Sequence, residues 1–406
     1  MPAVLTVEPD TDRDQARRAR QAERYAARHI LWDESTLPRL RECGAVGVLP
    51  GGAVALKASG TCADGSRRGG FAGLSTCAST WCCPVCSAKI AAHRALELAA
   101  AVQTWHDKGG RVVMVTLTQR HDKGQTLLEL WAANGYAWGA VTAGKAWQAD
   151  KVTFGVHGWV RVVEVTHGAH GWHVHVHALV FLEPALGRRR VRRVLAADLK
   201  GLGACMFQRW RAALLRKGLA APLAAHGGLD VRPVGPGDAV LLGDYFTKNT
   251  YQGGSVPTVD GVGREVAAGM QKKARQGNRT PFSILADVVA VGDAGDLELW
   301  HEWEKGSHNK RQMTWSQGLR AELLPDVELT DAEVLEDDQG GDVLAVIPAG
   351  EFAVVTGRRL DGTLIALMQD DDTGDAVRAF LTLEGIGWEW PPDMGESATD
   401  RVTKLG

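Results

Sequence analysis

Along this chain the polar and apolar positions change rhythm several times, and each rhythm predicts an element. Residues 111–118 (RVVMVTLT) are a β-branched run that predicts a strand. Residues 159–166 (WVRVVEVT) alternate with the period of two expected of a half-buried strand, and 172–181 (WHVHVHALVF) do so over their first half. Residues 167–171 hold two glycines between these runs and predict the turn of a hairpin. Residues 229–234 predict a short strand closed by Pro233 and Pro236. Helical spacing fills the stretches between: 87–107, then 126–150 with Leu127, Leu130, Trp131 and Trp138 near one face, then the basic 188–217, then 238–251. Upstream, 13–43 reads as a charged helix broken near Pro38, a solvated helix or a DNA-contacting arm, and 44–76 as Gly-rich and irregular.

The order β-α-β-β-α-β-α predicts an α+β fold, a ferredoxin-like (RRM-like) antiparallel sheet with helices on one face. Residues 325–406 predict a separate small acidic α+β module, with strands near 343–347, 351–356 and 364–368 and a helix over 375–383. The expected division is a helical arm over 1–55, a zinc-binding segment and helix over 56–107, a core over 108–285, its extension over 286–324, and the terminal module over 325–406.

Charge sharpens that division. Of 406 residues, 46 are basic and 48 acidic, a net of −2. Residues 321–406 hold 20 acids and 5 bases, so the first 320 residues carry a net charge of +13 and the tail −15. A basic body with an acidic tail fits a nucleic-acid partner. On charge alone the tail is no part of a DNA surface, and cutting after Leu324 should leave DNA binding intact. No apolar run approaches the ~18 residues of a membrane span, and the N-terminus turns charged within ten residues. A cytoplasmic protein is expected. Seven cysteines, an odd count without a secretion signal, argue against a disulfide framework.

Three clusters carry chemistry. Cys77, Cys83 and Cys86, with Cys62 upstream, have the spacing of a structural Zn²⁺ site, with Cys82 pointing away if Cys83 points in. A redox pair or merely buried thiols are the alternatives, though no strand precedes the Cys-Pro-Val-Cys turn. Lys89 and Arg94 follow at once and, with Arg120, are candidate DNA contacts. His173, His175 and His177 alternate on one strand and share a face, and buried imidazoles each need a partner. Glu164 on the preceding strand could add an oxygen, depending on a register the sequence leaves open. Imidazoles with a carboxylate suit Mn²⁺ or Mg²⁺ acting on a phosphate. Third, Tyr245 and Lys248 lie one helical turn apart. A phenol with a pKa near ~10 is a poor nucleophile unless a cation and a polarised phosphate assist it. By itself this pair would be a surface feature in most proteins. Gly139-x4-Gly144-Lys145 resembles a phosphate loop, but Ala146 replaces the hydroxyl and no strand precedes it, so it is rejected.

Thr116-Leu117-Thr118, His175-Val-His177 and Tyr245-x-x-Lys248 stand in the order of the three motifs of HUH endonucleases. Cys83–Ile90, the Gly-Trp-His-x-His-x-His run at 171–177 and Thr-Trp-Ser-x-Gly-Leu-Arg at 314–320 resemble replication initiators of actinobacterial rolling-circle plasmids. The resemblance spans roughly residues 60–320. It implies nicking of one strand at the double-strand origin, a 5′-phosphotyrosyl intermediate and later strand joining. It also implies that His175 and His177 bind the metal, that Tyr245 attacks and that Lys248 offsets charge. Implied partners are plasmid origin DNA, duplex and nicked single strand, with a host helicase and DNA polymerase. Where some relatives carry a carboxylate one turn before the tyrosine, this chain has Leu241; Asp244, Asp238 and Tyr251 remain as candidates for the second cleavage. A relaxase or single-strand transposase would use the same motifs, but relaxases commonly place the tyrosine ahead of the histidines. A non-catalytic zinc DNA-binding regulator would leave the histidine strand unused.

Overall fold

The computed structural model describes residues 11–61, 65–184, 201–236, 238, 278–336 and 340–390. The chain begins with α1 (Thr11–Glu34), α2 (Pro38–Arg41), β1 (Val54–Thr61), β2 (Arg67–Ala72) and α3 (Pro84–Asp107). Then come β3 (Arg111–Thr118), α4 (Leu127–Val141), α5 (Gly144–Phe154), β4 (Val156–Gly168) and β5 (Gly171–Leu182). They are followed by α6 (Leu202–Arg216), β6 (Leu229–Val234), α7 (Pro281–Val291), α8 (Ala294–Ser307), β7 (Met313–Trp315) and α9 (Leu319–Leu323). The last elements are α10 (Asp331–Glu336), β8 (Asp342–Ile347), α11 (Ala349–Gly357), α12 (Asp361–Asp370) and α13 (Asp375–Leu383).

The larger sheet has the order β6-β3-β5-β4-β7, with every pair antiparallel. Numbered in chain order, its first four strands lie 4-1-3-2, the ferredoxin-like arrangement the pattern predicts, and β7 adds an edge beside β4. The period of two sorts the side chains of this sheet. Val113, Val115, Val163, Val165, Val174 and Val176 pack with residues of α4, α6 and α8 in one core. On the other face Val112, Met114, Val160, Val162, Leu179 and Phe181 pack with Leu98, Ala101, Val102 and Trp105 of α3.

Helices therefore cover both faces of the sheet, not one. The spacing of Leu98, Ala101, Val102 and Trp105 is the i, i+3, i+4, i+7 stripe of a core-facing helix. Assigning α3 to the cysteine segment hides that role. The helix expected over 126–150 is two, broken where Gly144 takes a φ of 76°. Gly139 of the rejected phosphate loop lies inside α4.

The second sheet corrects three expectations. Residues 44–76 are not irregular throughout: they supply β1 and β2, and β8 completes the order β2-β1-β8. The acidic tail is accordingly not set apart, because β8 pairs along β1 from Val54↔Ile347 to Ala58↔Asp342. Tyr25, Val54, Leu56 and Ala58 share one core with Leu344, Ile347, Phe352, Leu364 and Met368. Finally, the strands expected near 351–356 and 364–368 are helices α11 and α12. Short apolar runs do not distinguish the two states by periodicity. Leu364 and Ile365 each fall one helical turn from Met368, and all three are buried.

Candidate metal centres

On the α3-covered face, the apolar side chains stop where α3 ends its cover, and polar ones continue along the same three strands. There His177 lies opposite Thr116 of β3 and Val162 of β4, and His175 lies opposite Thr118 and Glu164. The register thus turns Glu164 to the histidine face. Its Oε2 lies 2.9 Å from His175 Nε2 and 2.8 Å from His177 Nε2. All three residues are buried, and their ligand atoms fall within 4.8 Å of one another. Thr116 Oγ1 is 3.0 Å from His177 Nδ1, which fixes that ring with Nε2 toward the carboxylate. His175 Nδ1 is buried without a hydrogen-bond partner. Burial pushes the Glu164 carboxyl up, but the charge and hydrogen bonds of His175 and His177 prevail and hold it well below the usual carboxylate range. An ionised oxygen and two imidazole nitrogens aimed at one point fit a divalent cation.

His173 is not in this group. Its ring centroid lies 4.9 Å from that of His175, but its nitrogens are not among the ligand atoms that converge with Glu164. His173 instead stacks on His121 of the loop after β3, with centroids 4.9 Å apart and planes at 20°. Of the four candidate ligands, Glu164, His175 and His177 form the group that could hold an ion, and His173 stands beside it.

The cysteine cluster is Cys43, Cys77, Cys83 and Cys86, all buried. Sequence spacing selects Cys62 as the fourth thiol; the sulfur that the fold brings there belongs to Cys43, and Cys62 lies outside the described residues. Cys43 Sγ is 3.4 Å from Cys86 Sγ and 3.7 Å from Cys83 Sγ, and Cys77 Sγ is 3.7 Å from Cys86 Sγ. Four sulfurs at ~2.3 Å from a tetrahedral Zn²⁺ stand about 3.8 Å apart, so the spacing fits zinc. Cys83 caps α3, accepting from the Cys86 N–H at 3.5 Å, with Pro84 opening the helix. Hydrogen bonds from Cys77, Cys83 and Cys86 hold the Cys43 thiol well below its ordinary range, while Cys77 and Cys86 are pushed up. A divalent cation among the four sulfurs would favour their ionised form, as metal ligation by cysteine requires. Cys82 turns away as expected, to Ser307 Oγ at 3.3 Å, and burial pushes its thiol up to about 12.

Cys43 reaches the cluster through a turn that only glycine permits. Gly44 has a φ of +72°, and a Cβ there would sit 2.0 Å from Nη1 of the buried Arg28. The Cys-Gly pair just after the Pro38 break is the sequence signal that spacing arithmetic passes over.

A row of tryptophans packs α8 between the cysteine segment and the start of β5. Trp81, next to Cys82, meets Trp303 at 5.5 Å, and Trp303 stacks at 5.6 Å on Trp172, next to His173. The Trp303 indole N–H donates to the Trp81 carbonyl at 3.0 Å. Of the candidate DNA contacts, Lys89 donates to the Leu335 carbonyl, and Arg94 bonds Glu97, Asp331 and the Leu329 carbonyl. Both are engaged within the chain. Arg120 is exposed beside His121. Tyr245, Lys248, Leu241, Asp244 and Tyr251 lie outside the described residues. Asp238 accepts from the Gly235 N–H at 2.8 Å. Among the described residues no helix is long and apolar enough to cross a membrane.

Residues 71–191 match a family model described as "Replication protein". Over 375 residues the chain is 30% identical to "Protein rep" of Streptomyces lividans, an alignment covering 77% of this chain and 80% of that protein. It is also 33% identical over 135 residues to "Neomycin resistance protein" of Streptomyces cyanogenus, covering 27% of this chain and 31% of that one. No solved structure matches. With its α+β sheet and cysteine cluster, the chain belongs to the Streptomyces-type plasmid replication (Rep) protein family.

Proposed function

We propose that this protein initiates rolling-circle replication by nicking one strand of its plasmid origin, as an endonuclease of the HUH class. The observation that carries this reading is the convergence of Glu164, His175 and His177 on one sheet face, in a chain of the replication family. Mn²⁺ or Mg²⁺ held by these three residues would polarise a phosphodiester toward attack. Glu164 supplies the negative charge of the site, His175 and His177 the neutral donors, and Thr116 keeps the His177 ring in its productive orientation.

In this reading the Tyr245 oxygen attacks phosphorus, the P–O3′ bond breaks, and the phenol proton passes to the leaving 3′ oxygen. Lys248 offsets the charge that develops. A phosphodiester is exchanged for a phosphotyrosyl ester of similar energy, so the step needs no nucleotide cofactor. Reversal by the free 3′ hydroxyl joins the strand again. The four thiols hold structural Zn²⁺, which ties α1–α2 to α3.

The test is nicking of supercoiled origin plasmid by the purified full chain with Mn²⁺. His175→Ala and His177→Ala should abolish nicking while origin binding survives, and Tyr245→Phe should lose the covalent 5′ adduct. Cleavage that persists in EDTA would remove the metal role, and an adduct mapped to Tyr251 would reassign the nucleophile.

A further inference from the structure

Lys89 and Arg94 are engaged within the chain, but two other cations are not. Arg216 closes α6 and Lys217 follows it, both exposed. They meet at Tyr136 of α4, which is 43% exposed. Lys217 Nζ stands 4.6 Å from the ring centroid and the Arg216 guanidinium 6.0 Å from it. Arg216 Nε donates to the Tyr136 hydroxyl oxygen at 3.3 Å. Among the described residues no carboxylate pairs with either cation. The acids of α4, α5 and α6 are Glu129, which closes the capping box of α4, and Asp150, which holds Arg209. The α6 C-terminus and the aromatic face each favour a cation, but two cations at one ring also repel each other. Nothing crowds the ring on α4: Ala132 and Gly139, one turn to either side, are exposed, and a Cβ at Gly139 would find nothing within 4 Å.

This cluster lies at the end of the sheet that holds the metal ligands. Helix α6 runs from Gly203, packed against Val231, to Trp210, whose indole N–H donates to the Thr118 carbonyl at 3.0 Å. Val231 lies opposite Val115, and Thr118 opposite His175. Arg216 is a further six residues on, ~9 Å along the helix. We propose that Tyr136, Arg216 and Lys217 bind a backbone phosphate of duplex DNA beside the metal centre. A guanidinium, an ammonium and a phenol O–H on one exposed surface offer the charge and the donors that phosphate oxygens take. None of the three is placed to read a base edge by this contact, so it anchors the duplex without regard to sequence. That the partner is DNA rests on the replication family to which the chain belongs; that the anchored duplex is the one cut rests on the function proposed above.

The experiment measures binding of the full chain to origin duplex and to an unrelated duplex of equal length, without added divalent metal, over a range of salt. Arg216→Gln and Lys217→Gln should each reduce the slope of log affinity against log salt by ~0.9, and do so for both duplexes. Tyr136→Phe keeps the ring beneath the cations and loses only the hydroxyl, so it should weaken binding less than either. All three positions are exposed, so the melting temperature should hold. An unchanged slope when both cations are replaced would overturn the inference and leave the pair as charges at the α6 C-terminus. A slope reduced for the origin duplex alone would overturn it too, since a backbone phosphate carries no sequence. Reduced slopes in a chain whose wild type does not nick with Mn²⁺ would support the anchor and remove the reaction proposed above.

Discussion

Glu164 shows what one residue of register decides. Shifted by a single position, Val163 or Val165 would face His175 and the carboxylate would enter the valine core on the other side. Glu164→Gln keeps the shape and removes the charge, so calorimetry should find Mn²⁺ binding lost while unfolding remains cooperative. Thr116→Val acts through the ring it orients. It should weaken Mn²⁺ about 10–100-fold and leave nicking recoverable at high metal. His173→Ala should be far milder than either, since its imidazole stacks on His121 and not at the ligand point. The three histidines were legible from their alternation, because a strand has one periodicity. Which of them point at a common atom was not, because that depends on the neighbouring strand. Glu164 could be named as a candidate only, since register is a property of the pair of strands.

At the scale of elements, α3 performs two tasks that its sequence presents as one Ala-rich run. Its first turn holds Cys83 and Cys86, and its last turns cover the sheet. Loss of zinc should therefore loosen more than a loop. Cys43→Ser is expected to lose the metal, with about one zinc per chain measured in the wild type and far less in the variant. Cys62→Ser should keep it. Zinc retained by the first and lost by the second would restore the assignment that spacing favours. Trp303→Ala should cost ~3–5 kcal/mol in denaturant unfolding, because the ring is buried between Trp81 and Trp172. The central strands and the hairpin could be read from β-branched alternation. Helices α11 and α12 could not, because short apolar runs fit either state until their neighbours choose.

For the whole molecule, the acidic tail is bound where charge alone would set it free. Arg28 of α1 and His29 meet Asp361 of α12 in a buried cluster, with His29 Nε2 at 2.5 Å from Oδ1. Burial pushes the Asp361 carboxyl up, but the His29 and Arg28 contacts prevail and hold it below its usual range. Its folded pKa is thus below the unfolded value of ~3.9, so its stabilising effect is full above that value and disappears as pH falls through the folded pKa. Asp361→Asn should flatten acid unfolding below about pH 4, and cost stability at neutral pH by leaving Arg28 buried and uncompensated. Truncation after Leu324 is no clean cut: it removes β8 and Asp361, and should yield a chain with a lowered melting temperature and exposed apolar surface that dye binding detects. The pairing of β1 with β8 also has a consequence in time. Residues 54 and 347 emerge from the ribosome 293 positions apart, a delay of roughly 15–60 s at usual synthesis rates. Until then β1 has an open edge, and Arg28 lacks its carboxylate. A nascent chain of this protein therefore cannot complete its N-terminal sheet before nearly all of it has been made, and a message broken short of β8 yields a product whose first domain stays unfinished.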